Sequence, residues 1–127
     1  MIGILGSVHE ESEWVHCESL EELSLASNNL TNKHLEELSA VIRICARTKL
    51  HRLDLSYNKL GVKGILNMLQ ALRANMHMKI THLNFDKAAL DPGTTQEKIH
   101  NYYLMLRVLS DYLRVTKHLR SLSMNGC

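Results

Sequence analysis

The sequence predicts an α/β solenoid, a coil of repeating units with short parallel strands on one side and helices on the other. Three observations carry that expectation. A motif returns about every thirty residues, its leucines alternate with period two, and the segments between copies space their apolar residues as an amphipathic helix does. A chain of 127 residues with 45% hydrophobic and 22% charged residues fits one globular domain.

The copies align residue by residue. The first runs Leu20-Glu-Glu-Leu23-Ser-Leu25-Ala-Ser-Asn28-Asn-Leu30, and the second Leu50-His-Arg-Leu53-Asp-Leu55-Ser-Tyr-Asn58-Lys-Leu60. The third is Ile80-Thr-His-Leu83-Asn-Phe85-Asp-Lys-Ala88-Ala-Leu90, and a shortened fourth is Leu119-Arg-Ser-Leu122-Ser-Met124-Asn-Gly-Cys127. In each, Leu-x-Leu points one set of side chains inward and the other to an open face of a short strand. Units therefore start near 20, 50, 80 and 119, which makes 20–127 the solenoid and leaves 1–19 as an N-terminal helical cap or partial repeat.

The connections supply the other half of the core. Leu35, Leu38, Ile42 and Cys45 follow helical spacing, with Thr31 or Asn32 as N-cap. Ile65, Met68 or Leu69, and Leu72 repeat the arrangement, and Gly61 is expected to relax the turn out of its strand. The third connection is nine residues longer. Asp91-Pro92-Gly93 turns the chain, Thr94 with Glu97 reads as a capping box, and a helix runs from about 95 to about 116. Its expected apolar face holds Ile99, Tyr102, Tyr103, Leu106, Leu109 and Leu113.

The motif matches the L-x-x-L-x-L-x-x-N/C-x-L pattern of leucine-rich repeats. Residues 20–90 resemble the ribonuclease-inhibitor-like, intracellular branch of that family, with Leu53-Asp-Leu-Ser-Tyr-Asn-Lys-Leu-Gly61 closest to it. The resemblance implies a right-handed solenoid with parallel strands on the concave face, helices on the convex face, and a protein partner bound in the hollow. It also implies, as an alternative, a regulator of a partner enzyme, such as a GTPase-activating or inhibitor protein. One departure stands out: Ala88 replaces the asparagine supplied by Asn28 and Asn58, so the internal asparagine ladder should break there.

On the concave face the outward strand residues are polar and mixed in charge. Arg52, Asp54, Tyr57, His82, Asn84, Asp86 and Lys87 are the candidate partner-binding residues, with Tyr57 and Arg52 as anchors because Tyr and Arg concentrate binding energy at interfaces. No catalytic residue, cofactor site or metal site is expected. The chain lacks a phosphate-binding loop, a dinucleotide fingerprint and a nucleophile turn, and its eight histidines and three cysteines have no metal-ligand spacing. Cys45 and Cys127 are expected as small core residues.

Charge is unevenly distributed. Residues 1–40 hold eight acids against Lys33 alone, whereas residues 41–127 hold fourteen lysines and arginines against five acids. Such a dipole could steer an acidic partner or align copies head to tail. The basic residues of the last helix are spread around it rather than concentrated into a run, and the chain has few exposed-looking aromatics for base stacking, which argues against nucleic acid. No apolar run is long enough to span a membrane, and Met1-Ile-Gly-Ile-Leu-Gly-Ser7 lacks a secretory signal's basic region, so the expected compartment is the cytoplasm. A terminal strand ending the solenoid leaves an open edge, so the expectation is either that the chain is a piece of a longer protein or that another subunit covers the end through self-association or a larger assembly.

Overall fold

A computed structural model of the chain describes residues 20–45, 47–91 and 93–127. The expected N-terminal cap at 1–19 and the middle of the Asp91-Pro92-Gly93 turn lie outside the described residues. Strands and helices alternate as β1 (Glu22–Ser24), α1 (Asn32–Ile44), β2 (Arg52–Asp54), α2 (Val62–Ala74), β3 (His82–Asn84), α3 (Gln96–Val115) and β4 (Ser121–Ser123). The strands form one parallel sheet in sequence order. Register follows the repeat, with Leu23, Leu53, Leu83 and Leu122 side by side.

The core lies between sheet and helices. From the strand side come Leu25, Leu30, Leu55, Leu60 and Phe85, and from the helices Leu35, Leu38, Ile42, Ile65, Met68, Leu69 and Leu72, all buried. Each unit thus offers one apolar sheet edge and one helix stripe, neither of which it can cover itself. Stacking covers both, and α1 packs on α2 as α2 packs on α3.

Neighbouring units also satisfy one another's helix ends. Gly61 precedes α2 and has no side chain with which to cap it. The cap comes from Asn32 of the preceding unit, whose Oδ1 accepts from the Gly61 and Gly64 backbone N–H groups at 2.8 and 3.1 Å. At the opposite end, Asn75 donates through Nδ2 to the carbonyls of Ile42 and Cys45 at 2.8 and 2.6 Å, closing the C-terminus of α1. Gly61 has φ −113°, so it serves as the extended residue ahead of a helix rather than as a relaxed turn.

A Cβ at Gly64 would fall inside contact distance of Asn32 Oδ1 and 3.2 Å from Asn32 Cα. Gly64→Ala should therefore destabilise the fold by about 1–3 kcal/mol, the usual cost of overpacking. In an Asn32→Ala background the same change should cost markedly less, because the obstructing amide is gone. Denaturant melts of the four members of that cycle measure the coupling.

Two expectations for the third connection are corrected. The N-cap of α3 is Thr95 rather than Thr94, with its hydroxyl accepting from Lys98 N–H at 3.2 Å, and Glu97 lies in the first turn instead of closing a box. The helix also turns inward a face that shares only Tyr102 and Leu109 with the expected one. Met105 and Tyr112 are buried, with Tyr102, Leu104, Val108 and Leu109 half-buried against the core. Ile99, Tyr103, Leu106 and Leu113 are exposed, Tyr103 to 64%. The helix has two apolar stripes, and α2 and the sheet lie against only one of them. Burial pushes the Tyr112 hydroxyl above its ordinary pKa, opposed in part by its hydrogen bond with Thr116.

Candidate functional site

The sheet register turns the outward residues into two rows. Glu22, Arg52, His82 and Ser121 form the first, and Ser24, Asp54, Asn84 and Ser123 the second. Together they line a shallow groove of about 320 Å³. Arg52 Nε meets Glu22 Oε1 at 3.1 Å, an exposed pair that orients the guanidinium more than it stabilises the fold. His82 Nδ1 lies 2.8 Å from the Thr81 hydroxyl.

The second row is partly occupied in shaping its own chain. Asp54 Oδ1 accepts from Ser56 N–H at 2.9 Å, and Asn84 Oδ1 from Asp86 N–H at 2.8 Å. Both are side chains bonding backbone two residues on, the device that bends a strand into a turn. Asp86 reaches into the fourth unit, where it accepts from the Ser123 hydroxyl at 2.6 Å and from Asn125 N–H at 2.7 Å. Those bonds, the Ser123 hydroxyl foremost, hold its carboxyl below the ordinary carboxylate value.

Beyond the rows each unit turns through one left-handed residue at an equivalent position: Ser27, Tyr57, Lys87 and Gly126, with φ of 56, 57, 67 and 71°. Tyr57 is 58% exposed there, and its N–H donates to Asp86 carbonyl at 2.9 Å. Of the seven candidate residues, then, Arg52, Asp54, His82 and Asn84 share the groove. Tyr57, Asp86 and Lys87 form a rim beside it. Ser56, next to Tyr57, is buried. The groove also takes in Glu22, Ser24, Ser121 and Ser123, whose inclusion follows from the thirty-residue register once the strands are paired.

Two further features bear on chemistry. Cys127 is exposed as a residue rather than buried, though its thiol donates to the Phe85 carbonyl at 3.3 Å. On the convex side, Asp111 accepts from Arg73 Nε at 2.7 Å and Arg114 at 2.6 Å in a groove between α2 and α3. The Arg73 bond, followed by that of Arg114, holds the Asp111 carboxyl low. The Asp111–Arg114 spacing is visible in sequence, but Arg73 lies 38 residues away and nothing in the linear pattern joins it to them. Among the described residues no three His, Cys, Asp or Glu side chains gather as a metal site, and no helix is long and apolar enough to cross a membrane.

A family model described as Leucine Rich repeat matches residues 16–39 and 47–69. The fold is an α/β leucine-rich repeat solenoid. The matched stretches contain β1 with most of α1, and β2 with the first part of α2. The third and fourth repeats are carried by the parallel pairing of β3 and β4 onto the same sheet. Comparison with curated proteins gives no match.

Proposed function

We propose that this leucine-rich repeat chain is a non-enzymatic interaction module that holds a protein partner on its concave face. The observation that carries the proposal is the pair of in-register polar rows lining an open groove, with Arg52 held by Glu22 and Tyr57 raised on the rim. Leucine-rich repeats generally mediate protein–protein contact, and the thirty-residue period with a full helix per unit supports the ribonuclease-inhibitor-like subtype. Arg52→Ala combined with Tyr57→Ala should weaken partner capture from cell extract by at least about 30-fold, as loss of hot-spot side chains does, with the melting curve unchanged. Capture at the parental level would remove the concave face from consideration.

A second reading, self-association, is favoured by the exposed stripe of Ile99, Tyr103, Leu106 and Leu113 on the last helix. Light scattering should then report a mass that rises with concentration, and Leu106→Glu should hold the protein at monomer mass. A parental chain that stays monomeric throughout counts against it.

A further inference from the structure

The edge where helices end and strands begin differs in charge from the rest of the solenoid. Each helix carries an arginine in its last turn, Arg43, Arg73 and Arg114, where a cation offsets the negative end of the helix dipole. That local account does not extend to the loops beyond. There Arg47, Lys49, Lys79, Lys117 and Arg120 are all exposed, past the last helical turn. The chain has no acid at 38–53, 55–85 or 112–127. Among the described residues, the acids nearest this edge are Glu21, beside the first loop, and Asp111, already held by two arginines.

The loops stack into one surface. Asn75 bonds back to the Ile42 and Cys45 carbonyls, Thr81 N–H donates to the His51 carbonyl at 2.8 Å, and Arg120 N–H to that of Thr81 at 2.8 Å. Successive loops are therefore spaced between about 4.8 Å, the strand separation, and about 10 Å, the helix separation. An extended polypeptide presents same-side residues about 6.8 Å apart, within that interval. Two apolar side chains, Ile44 and Met76, stand exposed on the same edge. Phe, Tyr and Trp for stacking on bases are absent from 47–51, 75–81 and 116–120, where His51, His77 and His118 are the only rings.

We infer that this edge is a second docking surface, distinct from the concave rows, that takes an extended acidic segment of a protein. The loop cations meet its carboxylates, and Ile44 and Met76 meet its apolar side chains. The concave-face reading can fail without touching this one.

The test uses the full chain and three probes measured separately: a fluorescein-labelled dodecaglutamate peptide, a single-stranded twelve-nucleotide oligomer, and vesicles containing one-fifth phosphatidylserine. The peptide should bind in a salt-sensitive manner. Lys49→Glu/Lys79→Glu/Lys117→Glu should weaken it at least about tenfold, the milder Lys→Gln triple should fall between, and Arg52→Ala should leave it unchanged. These lysines are exposed, so both triples should keep the parental circular-dichroism spectrum. The inference is overturned if the peptide does not bind, if either the oligomer or the vesicles bind more tightly than the peptide, or if the two triples bind the peptide as the parent does.

Discussion

Leu53→Asp should leave the chain unfolded at room temperature, with loss of the helical circular-dichroism signal and of any cooperative melt. Leu53 is 1% exposed and lies in register between Leu23 and Leu83, so its side chain belongs to two inter-repeat contacts at once. The substitution removes about 2 kcal/mol of burial and asks an unpaired carboxylate to enter an apolar interior, at a cost of several kcal/mol more. A domain of this size commonly has only about 5–15 kcal/mol in hand. The repeat architecture sharpens the effect, because a central unit that cannot close withdraws support from both neighbours. Leu122→Asp is the internal comparison. It changes the equivalent residue of the terminal strand, which is half-buried and has a described neighbour on one side only, so its melt should shift less. Equal and small shifts for the two would mean that the sheet does not transmit stability along the coil.

How much of this was legible beforehand depends on how local the determining interaction is. Strand positions and register could be read because inward leucines recur within a few residues of one another and the period repeats. The break in the asparagine ladder at Ala88 was legible for the same reason: an alanine has no amide to offer. The inward face of α3 was not legible. Ile99, Tyr103, Leu106 and Leu113 make as good a helical stripe as Tyr102, Met105, Leu109 and Tyr112, and only the position of α2 and the sheet chooses between them. Asp54, Asn84 and Asp86 show a different ambiguity. A polar residue facing outward on a strand can wait for a ligand or bend its own backbone, and residue type is the same in both cases. Their bonds to Ser56, Asp86 and Asn125 assign all three at least partly to shaping the turns, which leaves Arg52 and His82 in the groove and Tyr57 on its rim as the stronger recognition candidates. The left-handed turn position could be recognised in only one copy, because Gly126 advertises it whereas Ser27, Tyr57 and Lys87 do not.

Asn58→Ala should cost about 3–5 kcal/mol, far more than one ordinary hydrogen bond, because a single amide serves five backbone groups. Its Oδ1 accepts from the N–H groups of Asn28 at 2.8 Å and Leu30 at 3.0 Å, both in the preceding unit. Its Nδ2 donates to the carbonyls of Leu25, Leu55 and Ser56 at 2.8, 3.1 and 3.2 Å. Asn58 is buried, so water cannot replace it without opening the stack, and the abandoned groups bear the cost of desolvation unpaid by any partner. Asn28→Ala separates this cause from a general taste of the turn for asparagine. Asn28 occupies the equivalent position one unit earlier, yet among the described residues its Nδ2 reaches only the Ala26 carbonyl, at 3.0 Å on the exposed surface, so its removal should cost under about 1 kcal/mol. The third unit shows what substitutes when the amide is missing: Ala88 N–H donates to the Phe85 carbonyl at 3.1 Å, and the Cys127 thiol from the next unit donates to the same oxygen at 3.3 Å. Asn58 has no such deputy for the two N–H groups it accepts from, since an alanine or a thiol at its position would leave the acceptor role unfilled. Urea melts of the two alanine variants therefore decide the matter by their ratio. Comparable losses would mean that turn preference rather than the inter-repeat ladder ties the first unit to the second.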